Sequence, residues 1–457
     1  MADPFLLAHW CAPLQFTIAG PLTPVSIRDQ MIRGRMFVDR AIEQTLLAPN
    51  QPLVVVGAGA AGVTAAMRAA QLQIPVTLVE ASHQAFGRQK KSTSRWIDPT
   101  QYDWPADHWP QASFPWGPPP MQLPWAAQRS SVIAAAWDRE FRRAQARYPH
   151  LEVLYNSSVT AINWLPSQQL DIDIQTPAGP VTRTCSALLD AVGFGTEKSS
   201  LGTYQGFEFW DSETLEKPNM GLGGRPQPYR VLIAGGGDGA LQDLLRVTTG
   251  LKSAEMILQK LPRQVQDMVS TAIYSAEDQA QRAGIWCERQ HEHAVFARLH
   301  WSHQLQVRRM FTDPSISGPL QSALHHVLAH AKGMEIVLAH PCDHFSRCYG
   351  LNRFLCLLIL EYASMARLAI SAMPGTGMLA VNPVGHSCTG ARPCHGLEHR
   401  VLFQAYSCAR NPSGTVQGSP RTFDAVILRM GVTPPKPFTG RFQLLVTRQI
   451  LPYYAAQ

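Results

Sequence analysis

Three glycines in the stretch "VVVGAGAAGVTAA" have the spacing that can hold a dinucleotide. Gly57, Gly59 and Gly62 form a G-x-G-x-x-G pattern, with Ala60 and Ala61 between the last two. In this pattern the first glycine permits a tight turn, the second lets a pyrophosphate approach the backbone, and the third lets helix and strand pack closely. The alternative is an ordinary strand-to-helix turn that holds no ligand.

The residues on both sides of this turn predict the elements that would position it. The β-branched run 54–56 predicts a strand buried on both faces, and "VTAAMRAAQLQ" predicts a helix whose positive N-terminal end points at the phosphates. A second strand, "PVTLVE", ends in Glu80, where a carboxylate can accept hydrogen bonds from an adenosine ribose. Because these parts occur in order, we predict an adenine-dinucleotide site.

A second glycine-rich turn follows the strand-like run "YRVLIA". Its candidate binding residues are Gly235, Gly236, Gly237, Asp238 and Gly239, and Ala240 takes the place of the third glycine, which the pattern tolerates. Asp238 could hydrogen-bond a ribose or a ligand, or cap the helix that follows.

The segment after this turn, "AEMILQ", is predicted as the next strand. It ends in Gln259, and Lys260 and Arg263 follow with no acid at the tip. Nearby cations favour NADP(H) over NAD(H), since a 2′-phosphate needs positive charge. A turn that binds no nucleotide explains the same residues.

Several later segments resemble parts of known flavoproteins. "AFGRQKKSTS", residues 85–94, resembles the glycine-arginine segment that follows the second strand in many FAD-binding oxidoreductases, with Arg88 in the place of the arginine. A predicted helix over 126–149, a strand over 150–162, a hairpin, and a strand that ends in Gly193 and Gly195 follow. From about residue 50 to 260, this order resembles the thioredoxin reductase and flavin monooxygenase-like group, which carries two dinucleotide-binding domains.

The resemblance implies the cofactors and two further site residues. It implies FAD on the first turn, with Val159 beside the adenine and Gly193 in the segment that crosses between domains. It implies a nicotinamide cofactor, NAD(P)H with NADPH favoured, on the second turn. In this group a glycine-aspartate turn near the return to the first domain contacts the flavin ribityl chain, whereas this sequence has "RMGV" there, within 421–435.

We therefore predict an α/β fold of two Rossmann-like dinucleotide-binding domains, the second with a helical extension. Residues 1–50 are predicted as an N-terminal extension, and residues 51–225 plus 421–457 as the FAD-binding domain. An aromatic and proline-rich insertion, 95–125, serves either as a lid or wall over a ligand or as a loop that buries its own rings. The second domain is expected over 226–420, largely helical from about 265.

Composition limits the other classes of function. Hydrophobic residues make up 45% and charged residues 16% of the chain, which indicates a folded protein. A net charge of +7 without a long basic run predicts solvated helix faces and no nucleic-acid partner. The apolar run 354–360, bracketed by Arg353 and Glu361, predicts a buried helix and no membrane span. With no recognisable signal peptide, we expect a soluble cytoplasmic protein.

The cysteines and histidines predict no metal site. Nine cysteines include no C-x-x-C pair, and their odd number suits reduced thiols. His326 and His330 have helical i, i+4 spacing but no obvious third ligand. The Cys and His residues of "CDHFSRC" and "SCTGARPCHG" lack compact metal spacing.

The functional hypothesis is an FAD-dependent oxidoreductase or monooxygenase that uses NAD(P)H as hydride donor and acts on a small molecule. In such chemistry the cofactor performs the redox step, so the sequence need not show an acid-base pair, and no catalytic residue is assigned. The alternative is a non-catalytic dinucleotide-binding protein that acts as a sensor or binds a partner.

Overall fold

The chain forms two compact units in a computed structural model. This structure describes residues 3–20, 26–102, 104–105, 113–114, 117–120, 123, 125–221, 229–286, 292–385, 398–406, 418–433 and 435. The first unit comprises residues 1–93, 111–196 and 432–457, and the second comprises residues 94–110 and 197–431.

Eleven α-helices occur in the described residues. They are α1 Pro4–His9, α2 Ile27–Glu43, α3 Ala60–Gln71, α4 Gly87–Lys91, α5 Ser130–Arg147, α6 Asp238–Thr249, α7 Ala254–Leu258, α8 Arg263–Trp286, α9 Glu292–Thr312, α10 Pro314–Leu328 and α11 Gly350–Met365. Short 3-10 helices cover Pro99–Tyr102, Pro218–Gly221 and Ala329–Ala331. Within this part of the chain, no helix has both the length and the apolar composition needed to cross a bilayer.

The strands are short, and most lie in sheets of three to six. Up to the end of the first parallel sheet they are β1 Trp10–Ala12, β2 Gln15–Thr17, β3 Leu53–Val56, β4 Val76–Val79, β5 Trp96–Ile97, β6 Ser113–Phe114, β7 Gly117–Pro120, β8 Gln128–Arg129, β9 Leu151–Leu154, β10 Ser158–Leu165, β11 Gln169–Thr176, β12 Gly179–Cys185 and β13 Ala187–Asp190. The others are β14 Thr196–Glu197, β15 Ser200–Leu201, β16 Tyr204–Gln205, β17 Tyr229–Ala234, β18 Met334–His340, β19 Ile370–Pro374, β20 Thr376–Pro383, β21 His399–Ala405, β22 Arg421–Phe423, β23 Ala425–Leu428 and β24 Val432–Thr433.

The first unit is built on a six-stranded sheet in the order β1-β2-β13-β3-β4-β9. All neighbours are parallel except β1 and β2. The valine run of β3 is fully buried, as a parallel strand covered on both faces requires. The N-terminal segment, predicted as an extension, instead supplies β1 and β2 to the edge of this sheet.

The second unit contains a four-stranded parallel sheet in the order β19-β18-β17-β23. Helices α7 to α10 lie in sequence between α6 and β18, which confirms a helical extension. The helical pattern ends at α11, however, since β19 to β23 occupy most of the described residues from 370 to 428. The predicted buried helix over 354–360 is confirmed within α11.

The two units share one topology. In each, three parallel strands are followed by a three-stranded antiparallel sheet and then by a fourth parallel strand beside the first: β3, β4, β9, β10–β12 and β13, against β17, β18, β19, β20–β22 and β23. Both glycine turns therefore follow the strand at which the strand order reverses. Ligands of open α/β sheets bind at this point, outside the carboxyl ends of the strands.

Two strand predictions are wrong. The segment "AEMILQ" forms helix α7, which Ser253 caps by accepting a hydrogen bond from the Met256 N–H. Strand β23, within 421–435, does not return to the first domain, because it pairs in parallel with β17. Of the predicted return segment 421–457, only residues 432–457 belong to the first unit. Both errors have one cause, which is that the strands that pair in parallel are distant in sequence. Strand β18 follows β17 only after the helical extension, and β23 follows β17 after nearly two hundred residues.

The aromatic insertion packs two half-buried rings against other rings in the described part. Trp104 stacks on Phe354 of α11 at 5.5 Å between ring centroids, within the second unit. Trp125 packs edge-on against Trp137 of α5 at 5.3 Å, within the first unit. Of the two predicted roles, these contacts support the loop that packs its aromatic side chains against the protein.

A buried charge cluster joins α6 to the end of β23 in the second unit. Asp243 of α6 is fully buried and accepts hydrogen bonds from Arg95 and, at 2.8 Å, from Nε of Arg429. Burial alone would raise the pKa of Asp243, but the charges of Arg95 and Arg429 outweigh it, and the pKa is lowered. The carboxylate is thus ionised, and it neutralises the guanidinium groups of Arg95 and Arg429, which are themselves buried.

Removal of the charge of Asp243 should destabilise the protein. Asp243→Asn removes the one carboxylate that Arg95 and Arg429 share, although Arg95 keeps its ion pair with Glu213 at 3.1 Å. Breaking a buried pair costs about 3–5 kcal/mol. Urea unfolding at pH 7 should show this loss. In the matched control Glu140→Gln, which breaks the exposed pair with Arg143, the loss should stay under about 1 kcal/mol. Equal midpoints for the two variants would contradict the role of this cluster.

Candidate dinucleotide site

The first glycine turn is fixed by contacts with two neighbouring strands. Gly57 has a φ of +102°, and a Cβ on it would lie 2.6 Å from the carbonyl oxygen of Ala191, just after β13. The Gly57 N–H donates to Val79 O at 2.7 Å, and the Ala191 N–H donates to Val56 O at 2.8 Å. Only glycine fits both the backbone angle and the close approach.

The other two glycines of the motif differ in what surrounds them. A Cβ on Gly62 would lie 1.9 Å from the carbonyl oxygen of Gly57, so this glycine lets α3 approach β3. A Cβ on Gly59 would meet no described atom within 4 Å, and its φ of −74° suits any residue. Gly59 therefore borders open space, at the place where the motif predicts a pyrophosphate.

Helix α3 begins beside this space, at Ala60. No side chain in the described part of the chain caps its N-terminus, although Gly59 stands at the cap position. Ala60 is buried, and its carbonyl accepts from Thr64 Oγ1 at 2.7 Å. Ala61 packs against α2, since a Cβ on Gly34 would lie 2.5 Å from Ala61 O. The uncapped N–H groups of this turn suit an anion.

Glu80 lies at the tip of β4, as predicted, and its carboxylate faces the glycine turn. Oε2 accepts from the Ala58 N–H at 2.7 Å, and Oε1 accepts from the N–H and Oγ of Ser82 at 2.8 and 2.7 Å. A carboxylate oxygen accepts more than one hydrogen bond, so Oε2 retains capacity for a ribose hydroxyl. Ser82, which orients the carboxylate, was not singled out in the sequence.

Arg88 and the glycines after β13 lie together. Arg88 Nη2 donates to Gly195 O at 2.9 Å, and Gly193 O accepts from the Gly20 N–H at 2.9 Å. Gly193 has a φ of +90°, and a Cβ on it would meet no described atom within 4 Å. Phe86 has a left-handed φ of 57°, an angle more usual for glycine, and donates its N–H to Ala58 O at 2.9 Å.

Val159 lies near the ribose end of this arrangement. It is half-buried on β10, packs against the cluster that contains Val54 and Val79, and pairs with Ile174. Just before it, the Ser157 N–H donates to the carbonyl of Glu80 at 2.9 Å. The start of β10 is thus connected to the tip of β4, where the adenine end of a dinucleotide is predicted.

The second glycine turn repeats the backbone contacts of the first. Gly235 has a φ of +144°, and a Cβ on it would lie 2.2 Å from Arg429 O. The Gly235 N–H donates to Ala339 O at 2.8 Å, the Arg429 N–H to Ala234 O at 2.7 Å, and the Ser346 N–H to Gly236 O at 2.9 Å. The same three bonds occur around Gly57 and Ala58, so the turns are structural equivalents.

Protein atoms lie closer to this second turn than to the first. A Cβ on Gly236 would lie 3.3 Å from His340 Cβ, and one on Gly237 would lie 3.5 Å from Ser346 Oγ. A Cβ on Gly239 would lie 3.3 Å from Cδ of the Arg429 side chain. The position equivalent to Gly59 therefore touches residues of its own unit.

Asp238 is the first residue of α6, and its carboxylate accepts hydrogen bonds from other residues of the second unit. Its Oδ1 accepts from the Tyr349 N–H at 2.7 Å and from Asn352 Nδ2 at 2.9 Å. Burial raises its pKa to about 6. An ionised acid at the N-terminus of α6 would repel a phosphate there. These residues therefore fit a pyrophosphate less well than those of the first turn.

The argument for NADPH from Lys260 and Arg263 does not apply to this turn. Both residues follow helix α7, and the parallel neighbour of β17 is β18, which ends in His340. Burial lowers the pKa of His340 to about 4, so its ring is neutral at pH 7.

Alanine substitutions at Gly59 and Gly62 should differ in their effect on the stability of the fold. Gly62→Ala places a methyl group against Gly57 O and should lower the unfolding free energy by about 2 kcal/mol or more, as overpacking does. Gly59→Ala has room and an allowed backbone angle, so it should change this energy by less than about 0.5 kcal/mol. Urea unfolding of the two variants measures the difference, and similar losses would contradict it.

The raised pKa of Asp238 predicts the pH dependence of stability. Between pH 3.8 and about 6 the unfolded state loses this proton while the folded state keeps it, so stability falls as pH rises through that window. Asp238→Asn should remove this fall and gain up to about 3 kcal/mol at pH 8. Unfolding at pH 4 and 8 tests this, with exposed Asp267→Asn as control. A gain at pH 8 no larger than that of the control would refute it.

Comparison with known proteins identifies the region of the first turn. Residues 55–120 match the family described as NAD(P)-binding Rossmann-like domain. No curated protein matches the sequence significantly.

Solved structures with some similarity are reductases and a monooxygenase. Bacillithiol disulfide reductase from Staphylococcus aureus is 11% identical, with a TM-score of 0.41 over 85% of this chain and 79% of that one. Thioredoxin reductase from Lactococcus lactis is 12% identical, with a TM-score of 0.39 over 84% and 78%. L-lysine 6-monooxygenase from Pseudomonas syringae is 13% identical, with a TM-score of 0.38 over 84% and 81%.

With TM-scores below 0.5, these likenesses assign no reaction to the chain. The parallel sheets themselves establish the predicted α/β class. Together, the sheet and the family match identify residues 55–120 as similar to the NAD(P)-binding Rossmann-like domain.

Proposed function

We propose that this protein is a flavin-dependent oxidoreductase that holds FAD at the first glycine turn. One observation carries the proposal: Gly59 borders open space at the uncapped start of α3, and the residue before it, Ala58, donates its N–H to the carboxylate of Glu80. This combination offers backbone N–H groups to a pyrophosphate and an acceptor to a ribose. A small molecule is the proposed substrate.

Each residue of the site has a defined task in this proposal. The N–H groups at the start of α3 hold the pyrophosphate, Glu80 accepts from the adenosine ribose, and Val159 borders the adenine. Arg88 fixes the turn that contains Gly195 through its hydrogen bond to the backbone. FAD, when bound, supplies the ring that accepts and donates electrons, and the protein supplies binding and orientation.

FAD binding can be tested on the purified protein. Flavin absorbance should be present as isolated or after incubation with FAD, and tryptophan fluorescence should report the affinity. Gly59→Leu should weaken binding by at least about tenfold because its side chain enters the pyrophosphate space. Gly318→Leu, at an exposed helical glycine with no described atom within 4 Å of a Cβ, is the matched control.

Two outcomes would reject the proposal. A folded wild-type protein that binds no FAD has a different function. A Gly59→Leu variant that binds FAD as tightly as wild type would place the flavin elsewhere.

The proposed hydride donor is NAD(P)H, and it is tested separately. Anaerobic addition of NADPH or NADH to the flavin-loaded protein should bleach the flavin absorbance if either nucleotide is the donor. The neighbouring atoms at Gly237 and the bonds of Asp238 favour a second candidate function, in which the protein binds one dinucleotide without turnover. A flavin that neither nucleotide reduces would support that candidate.

A further inference from the structure

Two histidines and one cysteine converge in the second unit. The ligand atoms of His293, Cys342 and His344 all lie within 4.8 Å of one another. His293 comes from the first turn of α9, whereas Cys342 and His344 lie in the loop after β18. Imidazole and thiolate are the ligands that Zn²⁺ prefers in proteins.

The donor set is oriented as a metal site requires. His344 is 4% exposed, and its Nδ1 lies 2.6 Å from the carboxylate of Asp343. This contact leaves Nε2 of His344 for a ligand bond, as in the carboxylate–histidine–metal arrangement of many zinc proteins. The His293 and His344 rings are 5.6 Å apart between centroids and nearly perpendicular, at 82°.

The loop that carries two of these side chains is held in place on both sides. Phe345 donates its N–H to Nδ1 of His300, which lies two turns after His293 on the same face of α9. Arg353 of α11 donates to Phe345 O at 3.2 Å and to Ser346 O at 3.0 Å. Three ligand atoms at most 4.8 Å apart lie within about 1 Å of the positions that tetrahedral bonds of about 2.0–2.3 Å require.

The redox state of Cys342 decides whether this site can form. Cys342 is disulfide-bonded in the structure, contrary to the expectation of reduced thiols, while Cys11, Cys185, Cys348 and Cys356 are free. A disulfide sulfur cannot serve as the thiolate ligand that zinc takes. Metal binding and the disulfide therefore exclude each other.

We propose that reduction of the Cys342 disulfide creates a zinc-type site formed by His293, Cys342 and His344. A dithiol donates two electrons and two protons to the S–S bond, which leaves Cys342 and its partner cysteine as thiols and the dithiol as a disulfide. Binding of Zn²⁺ then forms a metal–sulfur bond and releases the Cys342 proton. Three protein ligands leave the fourth position for water or another donor.

Co²⁺ is a suitable probe because its bond to a thiolate absorbs in the near ultraviolet. After reduction and removal of the reductant under nitrogen, the full chain should bind one Co²⁺ with this absorption, and Zn²⁺ should displace it. The disulfide form should lack the band. Asp343→Asn should weaken Co²⁺ binding by about 10–100-fold, as loss of an orienting partner does.

Variants assign the ligands. Cys342→Ser should abolish the thiolate band, and His293→Ala and His344→Ala, which leave the disulfide intact, should each weaken binding at least as much as Asp343→Asn. Exposed His326→Ala on α10 is the control and should bind as wild type. A band that survives in Cys342→Ser, equal binding by both histidine variants and wild type, or an equal band in the disulfide form would overturn the proposal.

Discussion

The structure depends on one close approach, which occurs once in each unit. A backbone carbonyl just after the fourth parallel strand, from Ala191 or Arg429, occupies the place where a Cβ would stand on the first glycine of the turn. The distances, 2.6 and 2.2 Å, leave room for no other residue. This contact brings the fourth strand against the first and ends both beside the start of a helix. The ligand crevice of each sheet is the geometric result.

The two units use this shared backbone differently. In the first, Gly59 borders open space and α3 starts with two alanines, so the charge at the helix N-terminus stays available to an anion. In the second, Asp238 supplies that negative charge from the protein itself and binds the start of α11. The equivalent turns therefore differ in charge at the helix start, where the first has alanine and the second has a carboxylate.

Local patterns in the sequence were sufficient for the parts of the site that are close in sequence. The valine run of β3, the three glycines and Glu80 all lie within one strand–helix–strand unit, and their structure agrees with the pattern. Ser82 could have been noticed as a hydroxyl two residues after the acid, but no rule of spacing requires it. Phe86 shows the opposite case, since a bulky residue holds a left-handed backbone angle that the pattern reserves for glycine.

Contacts between distant segments could not be predicted in this way. The second strand of the second sheet, β18, lies about a hundred residues after β17. The nearer segment, 254–259, has a strand-like apolar run but forms a helix that Ser253 caps. The same helical extension brings His293 to the loop after β18, so no motif joins the three candidate ligands. The repeated topology, by contrast, can be inferred from the sequence, because each unit has a glycine-rich turn after an apolar strand.

The loop after β18 links the two chemical features of the second unit. Ser346 in this loop bonds to Gly236, and Cys342 and His344 lie a few residues before it. Arg353 of α11 holds this loop by binding the carbonyls of Phe345 and Ser346. Cys342 and the residue that bonds to the glycine turn are thus only four positions apart in one anchored loop. In the first unit, the equivalent loop carries Phe86 and Arg88 instead, and its packing depends on a buried ring and not on a sulfur bond.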